Sequence, residues 1–435
     1  MTIAPWASPP ALNRLTEVHA ALPDEPAAAL ARAAAAATDH ARRLDEDCLQ
    51  LYAGTNVPSP LVASLYEAAL AAQPSMGYPG AKYQAGLEPI DVVEVTAAAA
   101  VSRVMRASFA EVRPTSATLA NLAVYTALTE PGDTIAVLPD WAGGHLSHHA
   151  IGVPGVRGLR VAPLPYDREL LDVDVDALDG FLGREAPRLV VVGASLMLFA
   201  HRLPEISAIV HGHGIPLLYD ASHVAGLIAE QRFQDPLREG ADLMTFSTYK
   251  SFGGPPGGAI VTDDEALAKR VSDAVYPSLV ANYDVSRLVP LAAAALEREA
   301  SAGAYADQCV VNAKALAHAL AAEGFDVLGP ARGYTDSHHV AVRVGDGTGA
   351  ALRLAEGNLL TSEIGVPVDP AGGIRIGTQA ITRQGFVADD MAAIASACAG
   401  ALLHDRDVRP EVAQIRSRHT GLRWCLPREG PTPLR

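Results

Sequence analysis

The chain reads as an α/β protein built on a mainly parallel sheet, followed by a smaller α+β region. Three observations predict this. Apolar runs of strand length alternate with helical patterns between residues 51 and 285. Polar residues able to carry chemistry, Ser195, Asp220, His223 and Lys250, fall just beyond those runs, at the strand ends where open α/β sheets bind ligands. One such run, Leu243–Gly258 (LMTFSTYKSFGGPPGG), delivers a lysine into a glycine-rich loop that allows close backbone approach to a bound group.

The strands expected are Thr134–Leu138, Leu159–Pro163, Arg188–Val192, Pro216–Tyr219, Asp242–Phe246 and Gly258–Val261, with helical patterns such as Thr118–Thr129 and Leu203–His211 between them. Four units follow. Residues 1–50 form a helical arm whose alanine-rich part, Pro26–Arg43, has high helix propensity and a poor amphipathic pattern. Residues 51–285 form the large α/β domain. Residues 286–403 begin with helices over Arg287–Ala300 and Tyr305–Glu323, then carry strands near Ser337–Val344 and Gly373–Ile376. Residues 404–435 form a tail that is rich in Arg and Pro, contains Trp424 and packs back on the body.

With 435 residues, 49% hydrophobic, the chain can bury a large core. A net charge of -15 argues against nucleic acid or an anionic membrane as partner. The N-terminus lacks an export-signal pattern and no stretch has 18 uninterrupted apolar residues, so no membrane span is expected. Cys48, Cys309, Cys398 and Cys425 are widely spaced without a CxxC pair, which suits a reducing cytoplasm and suggests no metal site.

Lysine is scarce: Lys82, Lys250, Lys269 and Lys314 are the only ones. An amine held in a dry pocket loses its proton readily and attacks aldehydes, so Lys250 is a candidate Schiff-base lysine; a strand-end lysine reaching solvent is the plain alternative. Three further stretches complement it. Arg113–Leu128 places Thr115, Ser116 and Thr118 at a helix start, suited to a phosphate or simply to an N-cap. Trp141–His149 brings His145 after two glycines, and Leu217–Leu227 carries Asp220 and His223.

Together these stretches resemble serine hydroxymethyltransferase, a pyridoxal 5'-phosphate (PLP) enzyme of the aspartate aminotransferase superfamily. The resemblance runs from about Leu51 to Leu403 through NVPSP (Asn56–Pro60), GYPGAKY (Gly77–Tyr83), DVVE (Asp91–Glu94), GGHLSH (Gly143–His148), DASHVAGLIA (Asp220–Ala229), STYKSFGGPPGG (Ser247–Gly258) and GIRIGTQAITRQGF (Gly373–Phe386). It implies PLP fold type I, with a mainly parallel seven-stranded sheet in the large domain.

By the same resemblance Lys250 bonds the cofactor, Asp220 faces the pyridine nitrogen and keeps the ring electron-poor, and His145 stacks on it. Ser195 and His223 lie near the phenolic oxygen; Ser116, Ala117 and Thr118 match the phosphate turn, with Asn121 one turn on. Ser247 and Tyr249 flank the cofactor, and Arg375 clamps the amino-acid carboxylate. A homodimer with its sites at the subunit interface is implied.

The chain also departs from the family. The tyrosine and general acid–base glutamate before GYPG are Pro74 and Met76, and a thioether moves no proton. Of the paired tyrosines, Tyr83 remains and the second is Gln84; the serine that touches the substrate hydroxyl is Gly54. Folate positions read Asp140 and Ile364, so tetrahydrofolate is not expected as a partner. The histidine before the lysine is Tyr249, the arginine after its loop is Pro256, and the segment that reaches the neighbouring subunit's phosphate is Ser278–Ala281.

The first functional expectation is therefore a folate-independent PLP enzyme, acting by β-elimination or decarboxylation-linked deamination on a cysteine- or serine-type amino acid in antibiotic-type metabolism. The alternatives are a folate-independent aldolase, transaldolase or hydroxymethyltransferase on β-hydroxy amino acids, and a non-catalytic scaffold.

Overall fold

The structure is a computed structural model and describes residues 4–367 and 369–427. Its centre is a seven-stranded sheet: β1 (Phe109–Glu111), β2 (Thr134–Val137), β3 (Arg160–Pro163), β4 (Leu189–Val192), β5 (Leu217–Asp220), β6 (Leu243–Ser247) and β7 (Gly258–Thr262), in the spatial order β1-β7-β6-β5-β4-β2-β3. β7 alone runs opposite in direction to the other six strands. β2, β4, β5, β6 and β7 are buried along their whole length, which is why they read as unbroken apolar runs rather than alternating ones. Their boundaries agree with the sequence to within one or two residues. β1 has no apolar run of its own; it forms because β7 offers it an antiparallel edge in register Ile260↔Glu111 to Thr262↔Phe109.

Two long elements lead to a second sheet. The helices Leu288–Ser301 and Ala304–Ala322 meet at Ala302 and Gly303, both with positive φ. The sheet that follows contains β8 (Asp326–Val327), β9 (His339–Arg343), β10 (Ser362–Val366) and β11 (Asp369–Gly377), in the order β8-β9-β11-β10. Apolar side chains gather in one large cluster around the seven-stranded sheet and a second around this one.

At the N-terminus the helices Pro9–Ala20 and Pro26–Arg42 bury none of their side chains. The tail does pack back: Arg383 Nη1 donates to the Trp424 carbonyl at 2.9 Å, and the Leu426 amide donates to Glu297 Oε1 at 3.2 Å. Beneath it lies a buried ionic layer in which Glu297 pairs with Arg383 and Glu230 with Arg298, the latter at 2.9 Å. Among the described residues no helix is long and apolar enough to cross a membrane, and no cluster of side chains could hold a metal.

Candidate active site

The carboxyl ends of β2, β4, β5 and β6 converge on one cavity lined by Ser116, Ala117, Thr118, Asn121, His145, Ser147, Ser195, Asp220, Ser222, His223, Ser247, Tyr249 and Lys250. Its phosphate-sized corner is the start of the helix Ala117–Leu128. There the Ser116 hydroxyl accepts from the Leu119 amide at 3.1 Å, leaving the amides of the first turn free to face an anion. Gly258 makes the corner possible, because a Cβ there would sit 2.2 Å from the Ser116 carbonyl oxygen.

Asp220 ends β5 inside the protein. Its Oδ1 accepts from the Ser222 amide at 2.8 Å; Oδ2 meets His148 Nε2 at 2.7 Å and Asn121 Nδ2 at 3.1 Å. Thr245 donates to Asn121 Oδ1 at 2.6 Å, and the Tyr125 hydroxyl meets His148 Nδ1, so both partners of the carboxylate are themselves held. Burial pushes this carboxyl upward, but the hydrogen bonds and charge of His148, together with Ser222, outweigh it and hold the group well below the usual carboxylate range.

Lys250 follows β6 and is 8% exposed. Burial lowers its ammonium from 10.5 to about 8, which puts a substantial neutral fraction near physiological pH. Its Nζ lies 3.1 Å from His223 Nε2, and Arg375 Nη1 lies 3.3 Å from the same atom. Both neighbours are donors, so His223 accepts at Nε2 and carries its hydrogen on Nδ1. Burial, with Lys250 and Arg375 adding to it, holds that imidazole neutral.

Arg375, on β11, links this cavity to a wider one of about 690 Å³ whose walls include Tyr52, Asp140, Trp141, His145, Ser195, Ile364 and Arg375. Its guanidinium donates to the Ser195 carbonyl and to Ser362 Oγ at 3.3 Å, while Nε has no partner among the described residues. Burial brings its pKa down to about 10 against the opposing influence of Tyr52. His145 receives the Ser147 amide on Nδ1 at 3.1 Å, so Nε2 carries the hydrogen; burial lowers the ring to about 4 and keeps it neutral.

Most of the residues singled out from the sequence therefore meet in one place. Met76, Tyr83 and Gln84 do not: none lines either cavity of its own chain, and Tyr83 is 80% exposed. Gly54 stands beside Tyr52, which lines the wider cavity. Sequence reasoning passed over His148 and Tyr52. The signal for His148 was present in the run HLSHH, where a short 3-10 turn, Leu146–His148, carries a second histidine back toward Asp220. For Tyr52 it was the glycine two residues later.

A family model described as serine hydroxymethyltransferase matches residues 31–398. The chain belongs to the serine hydroxymethyltransferase family. An alpha-methylserine aldolase of Variovorax paradoxus is 42% identical over 438 residues, taking in 96% of this chain and 100% of that protein. A serine hydroxymethyltransferase of Sulfolobus acidocaldarius is 39% identical over 377 residues, 85% of this chain and 87% of that one. Among solved structures, L-threonine transaldolase from Pseudomonas fluorescens, in its internal aldimine state, superposes with a TM-score of 0.83 at 28% identity, covering 90% of this chain and 92% of that one.

The fold is that of the fold type I PLP enzymes, and the protein is a PLP-dependent lyase or transferase acting on an amino acid. The donor set fits that cofactor: an amine for its aldehyde, a buried carboxylate for its ring nitrogen, free amides for its phosphate. Two buried polar atoms at the cavity, His223 Nδ1 and Ser222 Oγ, also lack partners among the described residues.

Proposed function

We propose that the protein is a folate-independent aldolase that cleaves the Cα–Cβ bond of a β-hydroxy amino acid of the α-methylserine class. The single observation that carries this reading is the union, around His223, of Lys250 and Arg375 beside a wider cavity whose folate positions are changed, in a chain 42% identical over nearly its whole length to an alpha-methylserine aldolase.

Bound PLP supplies an electron sink for the pair left at Cα when a bond there breaks. The chain does the rest. Asp220, fixed by His148 and Asn121, would keep the ring nitrogen protonated. His145, its orientation set by the Ser147 amide, would lie against the ring. Ser116, Ala117 and Thr118 would hold the phosphate, with Ser195 and His223 near the phenolic oxygen. Ser247 and Tyr249 complete the wall by Lys250. Arg375 orients the amino-acid carboxylate, and Lys250, with a pKa of about 8, holds or returns the proton at Cα.

The reaction balances without a one-carbon carrier. The β-hydroxyl loses its proton, the Cα–Cβ pair stays on Cα, the hydroxymethyl group leaves as formaldehyde, and Cα takes up a proton to give alanine from α-methylserine. Asp140 and Ile364 support independence from folate, since both line the cavity beside Arg375 at positions where the folate-dependent pattern differs.

The relatives carry aldolase and transaldolase names, which favours Cα–Cβ cleavage over β-elimination. The placement of Met76, Tyr83 and Gln84 outside the cavities of their own chain supports a homodimer in which these residues serve the partner's site. A scaffold without catalysis has no need of Lys250, Asp220, His145 and Arg375 together.

Incubation without folate separates the readings. Formaldehyde and alanine from α-methylserine in equal amounts are expected; acetaldehyde from threonine at a higher rate points to a transaldolase-type donor. Pyruvate and ammonia from cysteine conjugates, with no aldehyde from either hydroxy amino acid, would reverse the proposal.

A further inference from the structure

At the wider cavity a glycine and a tyrosine two residues apart share one space. A Cβ at position 54 would lie 2.6 Å from Tyr52 Cζ and 2.7 Å from its hydroxyl oxygen. A serine Oγ sits one bond from its Cβ, so the Tyr52 phenol brings an oxygen to the neighbourhood in which a serine at 54 would hold its own. The backbone that carries Tyr52 is fixed against the end of β11. The Gly377 amide donates to the Leu51 carbonyl at 2.8 Å, Gln379 Nε2 donates to the Tyr52 carbonyl at 2.9 Å, and a Cβ on Gly377 would lie only 2.6 Å from Ala53 Cα. The phenol thus faces the same space as Arg375 and His145.

We propose that Tyr52 is a substrate-binding and specificity-determining residue whose phenolic hydroxyl, in the room left by Gly54, contacts the β-hydroxyl of the amino acid held by Arg375. The inference rests on the aldolase reading above and deepens it: the hydroxyl missing at position 54 is supplied from position 52. Gly54 is then a requirement of the site. A side chain there meets the far end of a movable ring rather than backbone, so a substitution displaces the phenol without breaking the fold.

The test uses two ligands that differ only in that hydroxyl, α-methylserine and α-aminoisobutyrate, with the holoenzyme. KM and kcat are measured for the first and an inhibition constant for the second. Tyr52→Phe is expected to raise KM for α-methylserine about three- to tenfold, as for loss of one hydrogen bond, and to leave α-aminoisobutyrate inhibition and the cofactor's visible spectrum unchanged. Gly54→Ser, which expels the ring, should impair α-methylserine use, and Tyr52→Ala/Gly54→Ser should recover part of the loss seen in Tyr52→Ala.

Tyr52→Phe that weakens both ligands equally, or neither, overturns the proposal, as does strict additivity in the double variant. If the wild type turns over α-methylserine and Tyr52→Phe matches it, this inference falls and the aldolase reading stands. If the wild type releases no formaldehyde, both fall.

Discussion

Replacing His148 probes the electrostatics of the site at a residue that touches neither the cofactor's aldehyde nor the substrate. His148 Nε2 lies 2.7 Å from Asp220 Oδ2 in a fully buried setting, and it opposes the upward push of burial on that carboxyl. A hydrogen bond to a charged group contributes about 1.5–3 kcal/mol. At about 1.4 kcal/mol per pKa unit, His148→Phe lifts the Asp220 carboxyl by roughly one to two units from this loss alone. Burial, now less opposed, pushes in the same direction.

The sign follows from linkage. A carboxyl held low in the folded protein contributes stability above its ordinary pKa, and the contribution disappears as pH falls through the lowered value. Raising the folded value moves that loss toward neutrality. Cofactor affinity, titrated by absorbance at successively lower pH, should begin to fall about one to two pH units higher in His148→Phe than in the wild type; His148→Gln, which keeps an amide donor, should fall between them. A His148→Phe protein whose affinity falls at the same pH as the wild type's would refute the claim that His148 sets the charge of Asp220.

Other consequences can be checked as directly. Because burial lowers Lys250 to about 8, capture of the cofactor aldehyde by the apoprotein should quicken with rising pH and level off near pH 8 rather than 10.5, as read by stopped-flow absorbance. Arg375→Lys should raise KM for the amino acid by one to two orders of magnitude, roughly 1.4–2.8 kcal/mol, with little change in the cofactor band, because an ammonium cannot form the bidentate pair. Arg383→Met, which strands Glu297 beneath the C-terminal tail, should cost about 3–5 kcal/mol in chemical denaturation; an unchanged midpoint would remove that pair from the account.

The parts of this molecule that could be read from sequence are those whose information is local. β5 and β6 announce themselves because a strand buried on both faces must be apolar throughout, and Asp220 and Lys250 stand out because they end such runs. The helix from Ala117 is marked by its Ser116 cap. What was hidden is tertiary. Asn121 meets Asp220 across 99 positions of chain, Arg375 reaches the Ser195 carbonyl across 180, and no periodicity encodes either contact. β1 depends on an edge supplied by β7. The change at Gly54 was visible as a loss, whereas its complement at Tyr52 emerges only when both occupy the same space.

The account depends on Lys250 being the residue that joins the cofactor. Borohydride reduction of the holoenzyme, followed by proteolysis and mass spectrometry, tests this most directly. A pyridoxyl-phosphate adduct on the peptide that contains Lys250, absent from Lys250→Ala, is the result predicted; a colourless protein with no adduct, or an adduct on Lys82, Lys269 or Lys314, would contradict it.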